Sequence, residues 1–189
     1  PITGQNTFEM ADKNIGILGF GSIGMQVAKR VQGFDAHVQY YDLNRLDDNT
    51  ELEMGVTYAS VENLFRTSDI LTCHTPLTKS TRHIVNSRTL SMMKSSAVLI
   101  NTSRGPVVDE LALIEALSSG TIAAAGLDVF EKEPLPKNSP LWDHPKVKIT
   151  PHIASLIDPV AGGKAIADNV RKFISGNPID ELIPPGKNY

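Results

Sequence analysis

The run Ile15-Gly16-Ile17-Leu18-Gly19-Phe20-Gly21-Ser22-Ile23-Gly24 decides how this chain folds. Residues 15–18 are apolar and read as a buried strand. Residues 19–24 spell G-x-G-x-x-G. Ile23, Val27 and Val31 then recur at four-residue spacing, which marks one face of a helix. Strand, glycine turn and amphipathic helix in this order have a physical logic. The first glycine permits the tight turn, the second lets backbone approach a pyrophosphate, and the third lets the helix pack close to the strand. Free N–H groups at the start of the helix then meet the phosphates.

The alternation continues outward from that run. Strands are expected at 37–41, 70–73, 97–100, 123–129 and 147–150. Helices are expected at 61–66, 87–94, 109–119 and 158–175, with Asp109 as an N-cap and Gly120 as a stop. Residues 43–57 are polar and acidic and read as a loop, and 131–145 as a Pro-rich loop. Strands alternating with helices imply a parallel sheet covered on both faces. The fold class is therefore α/β: a Rossmann-type doubly wound parallel sheet in three α/β/α layers. In such sheets ligands sit at the carboxyl ends of the strands.

Composition narrows the function classes. The chain has 189 residues with ordinary apolar and charged content and a formal net charge of −3. Its basic residues are scattered, which argues against a nucleic-acid binder. No run reaches the roughly 18 apolar residues of a membrane helix. With one cysteine, Cys73, no internal disulfide framework exists, and a cytoplasmic setting is expected. Cys73 reads as packing rather than a nucleophile, and Trp142 as loop packing. His37, His83 and His144 have no chemical context and read as ordinary.

Asp42 ends the second expected strand, close to the offset of about 20 residues at which an acid meets the ribose of a dinucleotide. A carboxylate there accepts both ribose hydroxyls of NAD and repels the extra phosphate of NADP, so NAD is the expected cofactor. Arg45 lies close enough to meet a 2′-phosphate, but is read as a solvated loop arginine. Three further strand ends carry polar clusters: Asn101-Thr102-Ser103-Arg104-Gly105, Gly126 through Pro134, and Thr150-Pro151-His152-Ile153-Ala154-Ser155. Together they supply a fixed cation, carboxylates and an imidazole. Those types suit hydride transfer to a 2-oxo acid. Arginine holds a carboxylate or carbonyl oxygen in a planar fork, histidine donates the proton the alkoxide needs, and an acid behind it fixes its tautomer and stabilises the imidazolium.

At these residues the chain resembles the D-isomer-specific 2-hydroxyacid dehydrogenases. The run from Met93 through Asn101-Thr102-Ser103-Arg104-Gly105-Pro106 to Asp109 is similar to that family's longest signature, and the likeness extends over about 13–176. The resemblance implies that Arg104 binds substrate, that Glu133 partners the general acid/base His152, and that Asp128 faces the nicotinamide carboxamide. It places His74, Thr75, Pro76 and Thr81 in the adenosine-side wall and Thr102 and Ser103 on the nicotinamide side. Gly19, Gly21, Ser22, Ile23, Gly24, Asp42, Arg104, His152 and Ser155 complete the expected cofactor contacts, and no metal is expected.

The resemblance also implies a domain division. Residues 1–12 would be a linker from an absent N-terminal substrate domain, 13–157 the NAD-binding domain, and 158–189 a helix and tail crossing back. Such a cofactor domain alone is expected to bind NAD weakly and to turn over 2-oxo acids negligibly. A homodimer through this domain and a small 2-oxo or 2-hydroxy acid are the expected partners. Two alternatives stand beside this reading: an NAD-responsive corepressor-like binding protein, and a phosphite-type dehydrogenase. The formate enzymes of the family have Gln at the position of Glu133, which counts against them. Ser155 and Leu156 lack the aromatic neighbour common in D-lactate enzymes, which disfavours lactate slightly.

Overall fold

In the computed structural model, which describes residues 9–155 and 159–179, the alternation becomes a seven-stranded sheet. The strands are β1 (Asn14–Leu18), β2 (His37–Tyr41), β3 (Val56–Tyr58), β4 (Ile70–Cys73), β5 (Val98–Asn101), β6 (Ala124–Leu127) and β7 (Val147–Ile149). They lie in the order β3-β2-β1-β4-β5-β6-β7, and every pairing is parallel. The chain builds outward from β1 to one edge, then returns to β4 and builds to the other. Right-handed crossovers in the two directions put helices on opposite faces. The Rossmann-type doubly wound fold is thus present, and its order reverses between β1 and β4, where the carboxyl ends leave a crevice.

The helices are α1 (Ser22–Val31), α2 (Asp48–Glu53), α3 (Val61–Thr67), α4 (Ser87–Leu90), α5 (Glu110–Ser119) and α6 (Pro159–Ile174). Asp109 caps α5 by accepting the N–H of Ala112, and Gly120 closes it at φ 77°. Two buried apolar clusters hold the sheet and its helices. One gathers Leu71, Leu99, Leu113 and Leu117, the other Ile15, Ile17, Phe20, Val38 and Tyr40. Cys73 is fully buried and burial pushes its thiol up to about 12, so it packs and does not react.

Two expectations need correction. Residues 43–57 are not a loop, because they hold α2 and β3. Asp47 caps α2 by accepting from Thr50, and the side chain α2 buries is a carboxylate, Glu51, rather than an apolar group. A hydrophobic pattern search passes over such a helix, and a three-residue edge strand is too short to show alternation. The helix expected over 87–94 ends at Leu90. Beyond it the hydrogen bonds tighten to three-residue spacing, Met92 N–H to the Thr89 carbonyl and Met93 N–H to the Leu90 carbonyl.

The chain divides into two compact units, one up to His152 and one from Ile153. The second contains α6, whose Val160, Ile166, Val170, Phe173 and Ile174 are exposed. No helix among the described residues is long and apolar enough to cross a membrane.

Candidate active site

The glycine turn packs directly onto the end of β4. Gly19 has φ 94°, and a Cβ on it would stand 2.7 Å from the His74 carbonyl carbon and from the Thr75 nitrogen. Gly24 packs against the Gly19 carbonyl. Gly21 is different, since a Cβ there would meet nothing within 4 Å. The protein's own packing does not require glycine at Gly21, whereas a pyrophosphate lying on the turn does. Gly21 caps α1 without a side-chain bond, and Ser22 and Ile23 are exposed at the helix start. Beside the turn, the buried Thr75 hydroxyl has no hydrogen-bond partner among the described residues. A free helix start, an open glycine and an orphaned buried hydroxyl together fit a bound dinucleotide.

Asp42, at the end of β2, is fixed beside this turn. One carboxylate oxygen accepts the Phe20 N–H at 2.7 Å and the other the Asn44 N–H at 2.9 Å. Arg45 is not the freely solvated side chain expected. Its guanidinium pairs with Glu51 at 2.8 Å and Asp48 at 2.9 Å and lies over the Tyr58 ring.

His74 lies between two threonines, Nε2 at 3.0 Å from the Thr72 hydroxyl and Nδ1 at 3.5 Å from that of Thr102. Burial pushes its imidazole down to about 4. The folded protein therefore keeps His74 neutral where an unfolded chain protonates it, near the ordinary 6.5. His74 contributes its full stability above that value. As pH falls from 6.5 towards 4, the unfolded state alone takes up the proton, and about 3 kcal/mol is lost. His74→Asn should flatten this part of the profile, read as urea midpoints at about pH 7 and about pH 4.5. Parallel profiles for the two proteins would show that His74 is not responsible.

Thr81 is buried and donates to the Pro76 carbonyl at 2.6 Å while accepting the Thr78 N–H. Its hydroxyl holds the turn together. Ser103 is likewise buried, with its hydroxyl and N–H both on the Asn101 side chain. Asn101 also donates to the Arg104 carbonyl at 3.0 Å. This fully buried amide fixes the turn that presents Arg104, a role the sequence reading did not single out; the asparagine at a strand end was its available signal. The exposed Arg104 guanidinium donates to the Ser103 carbonyl at 2.7 Å.

His152 and Glu133 meet. Nδ1 of the imidazole is 2.6 Å from Glu133 Oε2, although 19 residues separate them. The other Glu133 oxygen accepts the Phe130 N–H at 3.0 Å. Burial raises the carboxyl's tendency to hold a proton, but His152 and the Phe130 N–H outweigh it and lower its pKa. His152 takes φ 54°, a left-handed conformation uncommon outside glycine, and its N–H donates to the Asp128 carbonyl. Asp128 is itself buried and accepts from the Thr150 hydroxyl. Ser155 is exposed and lies in the second unit.

The loop bearing Glu133 is held from two sides. Gly105 packs so tightly under the Phe130 carbonyl that a Cβ would overlap it, which joins this loop to the Arg104 turn. His83, read from sequence as ordinary, pairs with Glu131 at 2.6 Å, and the Glu131 N–H donates to Glu110 at 2.6 Å. Burial raises the Glu110 pKa. His83 and Glu131 are 48 residues apart, so no local pattern announces the pair. Among the described residues no group of three or more His, Cys, Asp or Glu side chains is arranged to hold a metal ion.

Comparison with known proteins agrees with this geometry. Residues 3–154 match the family model of the D-isomer specific 2-hydroxyacid dehydrogenase, NAD binding domain. A glyoxylate reductase of Aeropyrum pernix is 47% identical over 179 residues, covering 94% of this chain and 52% of the relative. One of Thermofilum pendens is 48% identical over 147 residues, 78% of this chain and 43% of the relative. A D-isomer specific 2-hydroxyacid dehydrogenase of Xanthobacter autotrophicus Py2, solved in complex with NADPH and MES, superposes with a TM-score of 0.87 at 35% identity. That match covers 97% of this chain and 76% of the solved one. The chain spans about half the length of the curated relatives it matches.

Proposed function

This chain belongs to the D-isomer specific 2-hydroxyacid dehydrogenase family, through its NAD-binding domain, and on that premise we propose that the protein interconverts a 2-oxo acid and a D-2-hydroxy acid with NAD as cofactor. The carrying observation is the 2.6 Å contact between His152 Nδ1 and Glu133 Oε2, in the same unit as the glycine turn and Arg104. The similar glyoxylate reductases point to glyoxylate or a closely related small 2-oxo acid as substrate.

The roles follow from the groups. A dinucleotide held on the Gly19–Gly24 turn with Asp42 at its ribose would supply or accept the hydride. Arg104 binds the substrate's carboxylate or carbonyl oxygen as a fixed planar cation. In reduction the carbonyl electron pair moves onto oxygen, which takes a proton from His152 Nε2; in oxidation His152 takes that proton back. Glu133 holds Nδ1, fixing the orientation of the ring and its tautomer. Asn101 keeps the Arg104 turn in place.

Asp42 supports NAD over NADP by charge and by its fixed position. Titration of the protein with NADH and with NADPH, followed by fluorescence, should give tighter binding of NADH. Asp42→Asn keeps an acceptor for Phe20 but removes the charge, and should lower the preference about tenfold. Equal or tighter NADPH binding by the unaltered protein would refute the cofactor assignment. On addition of a panel of glyoxylate, hydroxypyruvate and phosphite, NADH oxidation or NAD reduction identifies the reaction class.

A further inference from the structure

The segment 42–58 that follows the ribose-side carboxylate carries a cation whose commitment bears on cofactor choice. Arg45 stands three residues beyond Asp42 and directly follows Asn44, whose N–H donates to the Asp42 carboxylate. A free arginine there would offset the repulsion that Asp42 exerts on NADPH. Arg45 is not free. Its Nε donates to Glu51 Oε1 at 2.8 Å, and its Nη2 donates to Glu51 Oε2 at 3.1 Å and to Asp48 Oδ1 at 2.9 Å. The guanidinium carbon lies 5.3 Å from the centre of the Tyr58 ring, a cation–π contact.

Glu51 is placed for this task by buried structure. The residue is 8% exposed, on a helix capped by Asp47, and its Oε1 also accepts the Tyr40 hydroxyl at 2.8 Å. Tyr40 is fully buried, takes the Leu46 N–H on its oxygen, and stacks on Phe20 with ring centres 4.1 Å apart. Phe20 in turn is the glycine-turn residue whose N–H holds Asp42. One continuous network thus fixes the acid that meets the ribose and holds back the arginine that would meet a phosphate. A buried carboxylate left without its cation is costly, so the pair resists being opened by a ligand. Asp48 is far more exposed and adds less.

We infer that Glu51 is a specificity-determining residue: by sequestering Arg45 it withholds that cation from a 2′-phosphate and so sharpens discrimination against NADPH. This rests on the dinucleotide reading above and adds a second element to it, independent of the charge of Asp42.

The test compares dissociation constants for NADH and NADPH in four proteins: unaltered, Arg45→Ala, Glu51→Gln, and the double variant. Glutamine keeps an acceptor for the Tyr40 hydroxyl while removing the charge that holds Arg45. Arg45→Ala alone should leave the NADPH-to-NADH ratio where it was, because that arginine is already withdrawn. Glu51→Gln should tighten NADPH relative to NADH by about fivefold, and adding Arg45→Ala should cancel the gain. Weaker NADPH binding on Arg45→Ala alone would overturn the inference, since Arg45 would then already serve the phosphate. So would a Glu51→Gln protein that folds, by circular dichroism, with an unchanged ratio. If Glu51→Gln does not fold, the Arg45→Ala comparison decides alone. Binding of neither dinucleotide, or an NADPH preference in the unaltered protein that Arg45→Ala leaves intact, would instead strike the reading on which this rests.

Discussion

In the intact protein, His152→Gln is expected to lower 2-oxo acid reduction by about two to four orders of magnitude while NADH still binds. The imidazole is the titratable group held by Glu133 at 2.6 Å, and glutamine offers neither its proton nor its charge. The effect should fall on kcat, because proton transfer accompanies the chemical step. Glu133→Gln gives a graded version of the same experiment. Reduction needs imidazolium and oxidation needs neutral imidazole, so the two rates should depend oppositely on pH. Losing the charged partner that orients the ring should lower both rates about tenfold. Rate–pH profiles in both directions check this, and unchanged rates in Glu133→Gln would remove Glu133 from its assigned role.

Gly105→Ala should be the most damaging of the small substitutions in the strand-end loops. Its Cβ would overlap the backbone carbonyl of Phe130 and crowd the Glu131 nitrogen. Backbone cannot swing aside as a flexible side chain can, so either the Arg104 turn or the Glu133 loop must shift. Both carry groups of the site. The Glu131 side is further tied to Glu110 and His83, which limits how far that loop can retreat. We expect a loss of about 3 kcal/mol or more in urea unfolding, or, if the loops yield, a fall in turnover of about 100-fold, since small misplacements have effects of that size. Wild-type stability combined with wild-type turnover would show that the two loops are not rigidly joined. Gly120→Ala supplies the contrast: a Cβ there meets nothing, so only its positive φ is strained and the loss should be near 1 kcal/mol.

The parts of this molecule legible in its sequence are those written in local pattern. The glycine turn, the apolar strands and the Asp109 and Gly120 helix ends each announce themselves over a few residues, and each stands where expected. The strand-end clusters could be located because a doubly wound sheet brings all carboxyl ends to one edge. What escaped depends on distant partners. Helix α2 went unseen because its inward group is Glu51, buried only by virtue of Tyr40 and Arg45. His83 looked ordinary because Glu131, which defines it, lies far along the chain. Asn101 was visible as a letter in a motif, but its role requires the closed turn that its own side chain creates.

Hydride transfer itself can be followed directly. The protein is incubated with glyoxylate and NADH carrying deuterium at the transferable C4 position, and the product is examined by NMR. If the glycine turn, Arg104, Glu133 and His152 act as assigned, glycolate forms with deuterium on C2, in step with the NADH consumed. Consumption of NADH without deuterium in glycolate, or binding of NADH by the intact protein, substrate-domain portion included, with no turnover of glyoxylate or of hydroxypyruvate, would contradict the account.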